Sequence, residues 1–395
     1  MSKKIGVVCF DNFETIKGGW ASVSGGEPFR INGIGDLSSN VLWISNLPFY
    51  YYKKLNLLRN PNIYDQQFFR TSLKQISDEL GLKDKPDDVS QKVSLIFQRV
   101  YDLGMDDFQL TLDDIEYRYN SALVNCILPS SIRQIPSGEF SSVLMTAFKE
   151  STQQNQAMIG NVSKGTKART FCFPKGAFSR TILSLPMPTN TGWKKLEDSI
   201  VTGTIGSKED NILKGTQAFV SYCNEKLSKK AVFFRINVSY TSKFFRSFAT
   251  FANGSNYQRN WVTLPELLEL IKYSIVEIYE AYSCELSTLN FDFVDNDSDE
   301  YSFSRGLYLE NIYTALSLPI NNGEYFNPVG AYVRAYDRVM CLKAAYAFSK
   351  SNLKVGSFGT GRVIVYSKQT ESKLVNDIAM EEGLIPPYLM VKENV

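Results

Sequence analysis

The chain has 395 residues, 44% hydrophobic and 21% charged, with a net charge of +2 and no histidine. Without an imidazole there is no Ser-His-Asp or Cys-His nucleophile, no zinc site with a histidine ligand and no facial-triad iron centre. The six cysteines, Cys9, Cys126, Cys172, Cys223, Cys284 and Cys341, never form a C-x-x-C pair, so neither a zinc ribbon nor a thioredoxin-type site is expected.

At this length two or three domains are expected, because single cores seldom grow past about 250–300 residues. No apolar run approaches the roughly 18 residues of a membrane span, and Ile5–Phe10 is too brief for a signal-peptide core. The expected placement is cytoplasmic or virion-internal, with no membrane partner.

In chain order, residues 1–150 read as a mixed strand and helix region. A strand at Lys4–Phe10 leads into a glycine-rich stretch, Gly18–Asn46, with the look of hairpins and turns. Phe69, Leu73, Ile76 and Leu80 share a helix face that stops at Gly81, and Val89, Val93, Ile96, Val100 and Leu103 share another that stops at Gly104. A third helix begins at Thr111 and carries Ile115, Tyr119, Ala122 and Cys126 on its core side, and a short fourth is expected at Ser137–Glu150.

Residues 151–262 read as β-rich and basic. Strands are expected at Ala168–Pro174, Arg180–Leu185, Ala231–Tyr240 and Lys243–Ala252, with one helix near Asn211–Leu227. Residues 263–395 return to helix. Thr263 and Glu266 form a capping box, and Leu267, Leu268, Ile271, Ile275 and Ile278 continue its apolar face. Helices at Ser304–Leu318, Val329–Ser351 and Thr370–Glu382 and a strand at Arg362–Ser367 complete an α+β chain: a mixed N-terminal region, a β-rich basic middle and a helical C-terminal lobe.

The small net charge conceals an asymmetry. Between 151 and 265 there are sixteen cationic and five acidic residues, a local +11 that leaves −9 for the remainder. Aromatic residues interleave the cations, as a single strand needs: positive charge along its phosphates and flat rings for its bases. The candidate phosphate contacts are Lys164, Lys167, Arg169, Lys175, Arg180, Lys229, Lys230, Arg235, Lys243, Arg246 and Arg259, with Phe245 or Tyr257 stacking on bases. Ser163–Arg169 would act as a flexible arm. The same alternation also fits a strand with one buried aromatic face and one solvated cationic face.

Motifs that carry chemistry are incomplete. Gly160–Lys167 has the glycine spacing of a phosphate loop, but Thr166 and Lys167 stand in the wrong order. Gly356–Val363 shares part of a kinase glycine loop, yet no H-R-D sequence can exist without histidine. There Arg362 and the adjacent amides offer a phosphate nest instead. Gly33–Ser38 lacks the third glycine of a dinucleotide site. Asp106 and Asp107 read as a solvated turn. The segment with Asp292, Asp295, Asp297, Asp299 and Glu300 begins like a calcium loop and then departs from it, with Glu300 at the turn-glycine position.

The expected function is a non-enzymatic protein that binds single-stranded nucleic acid, RNA favoured over DNA, without cofactor or metal. It would multimerise along its ligand as a homo-oligomer or sit in a multi-protein complex. Two other readings use different chemistry: a magnesium-dependent nucleic-acid enzyme built on Asp292, Asp295 and Asp297, and a shell or tail protein with no nucleic-acid ligand.

Overall fold

The computed structural model describes residues 4–57, 62–65, 73–82, 85–108, 119–153, 157–158, 165–208, 211–242, 244–246, 248, 260–289, 302–320 and 325–386. Helices and sheets are mixed along them, an α+β fold as the sequence predicts.

The N-terminal sheet has the order β3-β2-β1-β4-β5, with β1 Lys4–Phe10, β2 Gly19–Val23, β3 Phe29–Ile31, β4 Val41–Ser45 and β5 Ile63–Tyr64. β1 runs parallel to β4 and antiparallel to β2. Because successive side chains point to opposite faces, Ile5, Val7 and Cys9 join the main core while Val8 and Phe10 join a smaller one with Val41, Trp43, Tyr52 and Ile63. Burial on both faces explains why β1 is an unbroken apolar run and not an alternating one. The second core is closed by α1, Phe49–Lys54, and the first is covered by the long α3, Pro86–Phe108, which follows α2, Leu73–Glu79. α3 runs through Gly104, a buried position within it and not its end.

Two further helices, α4 Tyr119–Ile127 and α5 Ser141–Gln153, lead to a four-stranded sheet of order β6-β14-β15-β7, built from β6 Ala157–Met158, β7 Lys167–Cys172, β14 Lys354–Gly359 and β15 Arg362–Ser367. The other sheet contains β8 Lys194–Lys195, β9 Gly203–Lys208, β10 Asn211–Ile212, β11 Lys230–Thr241, β12 Trp261–Thr263 and β13 Ser274–Glu285. Both sheets join segments on either side of residue 262, so the basic middle and the C-terminal third are knit together through strand pairing. Gly206 shows how closely β9 lies on β13. A Cβ there would sit 1.9 Å from the Ser274 carbonyl oxygen, and its φ of +121° suits only glycine.

Several expectations fail for identifiable reasons. Arg180–Leu185, expected as a strand, lies mostly in α6, Lys175–Leu183. A Cβ added at Gly176 there would sit 3.3 Å from the Gly306 Cα on α9, Ser302–Leu316, and this close helix crossing overrides the β-branched content. Near Asn211–Leu227, β10 precedes the shorter α7, Thr216–Lys226. The helix at the capping box, α8, ends at Leu270; Ile275 and Ile278 belong instead to β13, registered against β11. Of Lys243–Ala252, the described residues 244–246 and 248 are turn or helix and not strand. β14 has no counterpart among the expected elements.

The 23-residue α10, Pro328–Lys350, is buried on nearly every side and carries Arg334, Asp337 and Arg338 into the interior. α11, Ser372–Glu381, closes the C-terminal part. No helix of the described residues is long and apolar enough to cross a membrane.

Five of the six cysteines are buried, and none of the six forms a disulfide. Burial pushes Cys9, Cys223 and Cys284 up to about 12. It also lifts Cys341, Tyr313 and Tyr332 well above their ordinary values. In the unfolded chain these groups lose their protons first, so the folded state holds more protons in alkali and stability falls as pH rises from about 9 towards 12. The urea midpoint is expected to be lower at about pH 10.5 than at about pH 8; an equal or higher midpoint would refute the assignment. In the native state a thiol reagent should modify Cys126 first.

Candidate nucleic-acid interface

The candidate cations are distributed over separate elements. Lys167 and Arg169 lie on β7 in the four-stranded sheet, Arg180 on α6, and Lys230 and Arg235 on β11 in the other sheet, with Lys229 just before it. Lys164, Lys243, Tyr257 and Arg259 fall outside the described residues, as do Asp292, Asp295 and Asp297 and the side chain of Lys175. Arg246 and Lys229 are exposed.

Several of the arginines are engaged by their own chain. Arg235 meets Glu280 at 3.1 Å, and Lys195 approaches the same carboxylate at 3.9 Å. Arg169 donates to the Ser372 hydroxyl at 2.8 Å and reaches Gln369 at 3.4 Å. Arg362 pairs with the buried Glu79 at 3.5 Å. The surface Arg235–Glu280 pair contributes about 0–1 kcal/mol to stability, but each of these contacts ties a cation to a polar group of its own chain.

Two expected contacts are corrected. Phe245 is 2% exposed and stacks face to face on Tyr273 with centroids 3.8 Å apart, which makes it a core ring closed to a nucleobase. The glycine turn between β14 and β15 is no open phosphate nest. Its Thr360 and Gly361 amides donate to the Asp337 carboxylate at 2.9 and 3.0 Å, so an internal anion already fills the place. Asp337 also accepts from Tyr313 at 2.5 Å, and Arg334 donates to the same phenol oxygen at 2.8 Å. Asp107, expected in a solvated turn, accepts from Tyr308 at 2.7 Å and ties α3 to α9.

A surface not expected from the sequence lies at the carboxyl ends of β1 and β4, the end of a parallel strand pair where α/β sheets place ligands. Asn46, just past β4, accepts from the Phe10 amide at 2.9 Å and donates to the Phe10 carbonyl at 3.2 Å, clamping the two strand ends together. The loop after β1 is held by Asn12, whose side chain accepts from the amides of Glu14 and Thr15. Asp11 there pairs with Arg30.

From this base Pro48 starts α1, whose sequence is Phe-Tyr-Tyr-Tyr-Lys-Lys. Tyr52 points inward and donates to the Ile63 carbonyl at 2.6 Å. One helical turn can bury only one side, so Phe49 and Tyr50 face outward, 53% and 67% exposed. Tyr51 bridges them to the β1 loop, with its ring 5.3 Å from Tyr50 and 5.7 Å from Phe13. Lys54 lies 5.9 Å over the Tyr51 ring, and Lys53 is exposed beside it. The run Phe49–Lys54 was the available signal: four successive aromatics cannot all enter a core from a short helix.

No family model matches the chain, and no curated protein matches its sequence. Among solved structures it is similar to Phi29 DNA polymerase complexed with single-stranded DNA, at 13% identity and TM-score 0.48 over 93% of this chain and 81% of that one. It is similar also to the primer-template binary complex of that polymerase, at 11% identity and TM-score 0.46 over 92% and 80%. The ternary complex with incoming nucleotides gives 13% identity and TM-score 0.43 over 92% and 80%.

These three structures are complexes of a DNA polymerase, an enzyme. Against that finding the expectation of a non-enzymatic, strand-coating multimer does not stand, and neither does the exclusion of enzymatic function. Among the described residues no group of three or more Cys, Asp or Glu side chains is placed to hold a metal ion.

Proposed function

We propose that the protein handles nucleic acid and engages a single strand through the aromatic rim of its N-terminal sheet. The carrying observation is the outward presentation of Phe49 and Tyr50 on a strand-end platform that Asn46 and Asn12 hold in place. Rings exposed to this degree gain nothing from the core, whereas successive unstacked bases would cover them at about 1–3 kcal/mol each. Lys53 and Lys54 stand beside the rings to meet the phosphates.

Fluorescence anisotropy with a labelled oligothymidylate tests the reading. Phe49→Ala and Tyr50→Ala should each weaken binding by about 5- to 100-fold, with an unchanged urea midpoint because neither ring is in a core. With only two adjacent lysines taking part, the plot of log affinity against log salt should have a shallow slope of about −1 to −2. DNA and RNA strands should bind within a few-fold of one another, since stacking does not read the 2′-hydroxyl. Wild-type affinity in the Phe49→Ala, Tyr50→Ala double variant would overturn the proposal.

A further inference from the structure

A cavity of about 430 Å³ opens where the loop before α5 meets the segment before β8 and the start of α10. None of its lining residues belongs to the aromatic rim. Phe140, Trp193 and Tyr325 supply aromatic walls, Ile135 and Pro136 an aliphatic one, and among the described residues of the lining the exposed Glu139 is the charged one. The walls are preorganised. Trp193 is wedged between Phe148 and Phe233 at 5.4 Å from each ring, and Phe140 packs 5.1 Å from Tyr282.

This volume lies within the range of small-molecule sites, about 300–1,000 Å³. Aromatic walls select a flat ring. The Glu139 carboxylate in that lining selects N–H donors and repels an anion. We infer that this cavity binds a planar heteroaromatic ligand of the nucleobase type, as the free base or nucleoside and not as the phosphorylated nucleotide. The exocyclic amine faces Glu139, and the ring lies against Trp193 and Phe140.

Isothermal titration with adenosine and with AMP tests the inference on the full chain. Adenosine should bind with Kd below about 1 mM, and AMP several-fold more weakly. Glu139→Gln should narrow that difference. Thr191→Trp, a filling substitution at an exposed lining position, should weaken adenosine by at least about tenfold with an unchanged urea midpoint. Phe49→Ala should leave adenosine binding intact, which separates this site from the strand-binding rim. Absence of saturable binding up to about 5 mM adenosine, wild-type affinity in Thr191→Trp, or tighter binding of AMP than adenosine would each overturn the inference.

Discussion

Replacing Arg338 with alanine is expected to destabilise the fold by about 3–5 kcal/mol, read as a fall in the urea midpoint. Arg338 is 1% exposed; it donates to Glu266 at 2.7 Å and to the Ser151 carbonyl at 2.7 Å, joining α10 to α8 and to α5. Glu266 is fully buried and simultaneously accepts from the Thr263 amide and hydroxyl at 3.1 and 2.9 Å, closing the capping box of α8. The alanine variant therefore leaves a carboxylate in the interior without its guanidinium, and that desolvated charge dominates the loss. Removing both charges by Glu266→Leu with Arg338→Met should cost much less than the single change, because no charge is stranded. What remains is mainly the lost helix cap, about 1 kcal/mol. Additive losses in the cycle made of Glu266→Leu, Arg338→Met and their double variant would show that the pair is not coupled.

The Asp337→Ala variant is expected to lose about 3–5 kcal/mol by a different route. Asp337 is fully buried and receives the Thr360 and Gly361 amides, the Tyr313 hydroxyl and the Cys341 thiol, with Arg334 at 3.9 Å. Without the carboxylate the turn between β14 and β15 has two inward amides to satisfy. Thr360, at φ +55°, also holds a left-handed backbone conformation that needs such support. Hydrogen exchange at the Thr360 and Gly361 amides should rise well beyond the global change in stability. Asp337→Asn keeps an acceptor but turns an amide NH2 towards donors, so its loss should fall between wild type and alanine. A change below about 1 kcal/mol in Asp337→Ala would remove the carboxylate from its supporting role.

Much of the local structure was legible because short-range rules decide it. β1 ends where Asp11 interrupts an apolar run, and α8 begins at a Thr-x-Pro-Glu box whose reciprocal hydrogen bonds the structure shows. The span of α10 follows from Asn327 and Pro328 at its start, with Asn327 accepting from the Gly330 amide at 2.8 Å. Its charged triad was not legible, since Arg334, Asp337 and Arg338 have the spacing of a solvated face. Only partners on other elements, Tyr313, Gly361 and Glu266, make an interior position tolerable.

The rim fared similarly. A tract such as Phe49–Lys54 shows that some ring must face out, but which ones depends on where Ile63 places the acceptor for Tyr52.

By itself the sequence determined that no imidazole chemistry operates, that the chain mixes helix and sheet, and where its best-capped elements begin, because composition, caps and periodicity act over a few residues. Tertiary structure alone decided that β7 pairs with β15 nearly 200 positions away and that the basic segment is divided between two sheets. It also decided that Phe245 is core while Phe49 and Tyr50 are surface. Such outcomes depend on which face of an element meets which partner, a long-range burial choice that neighbouring residues do not encode.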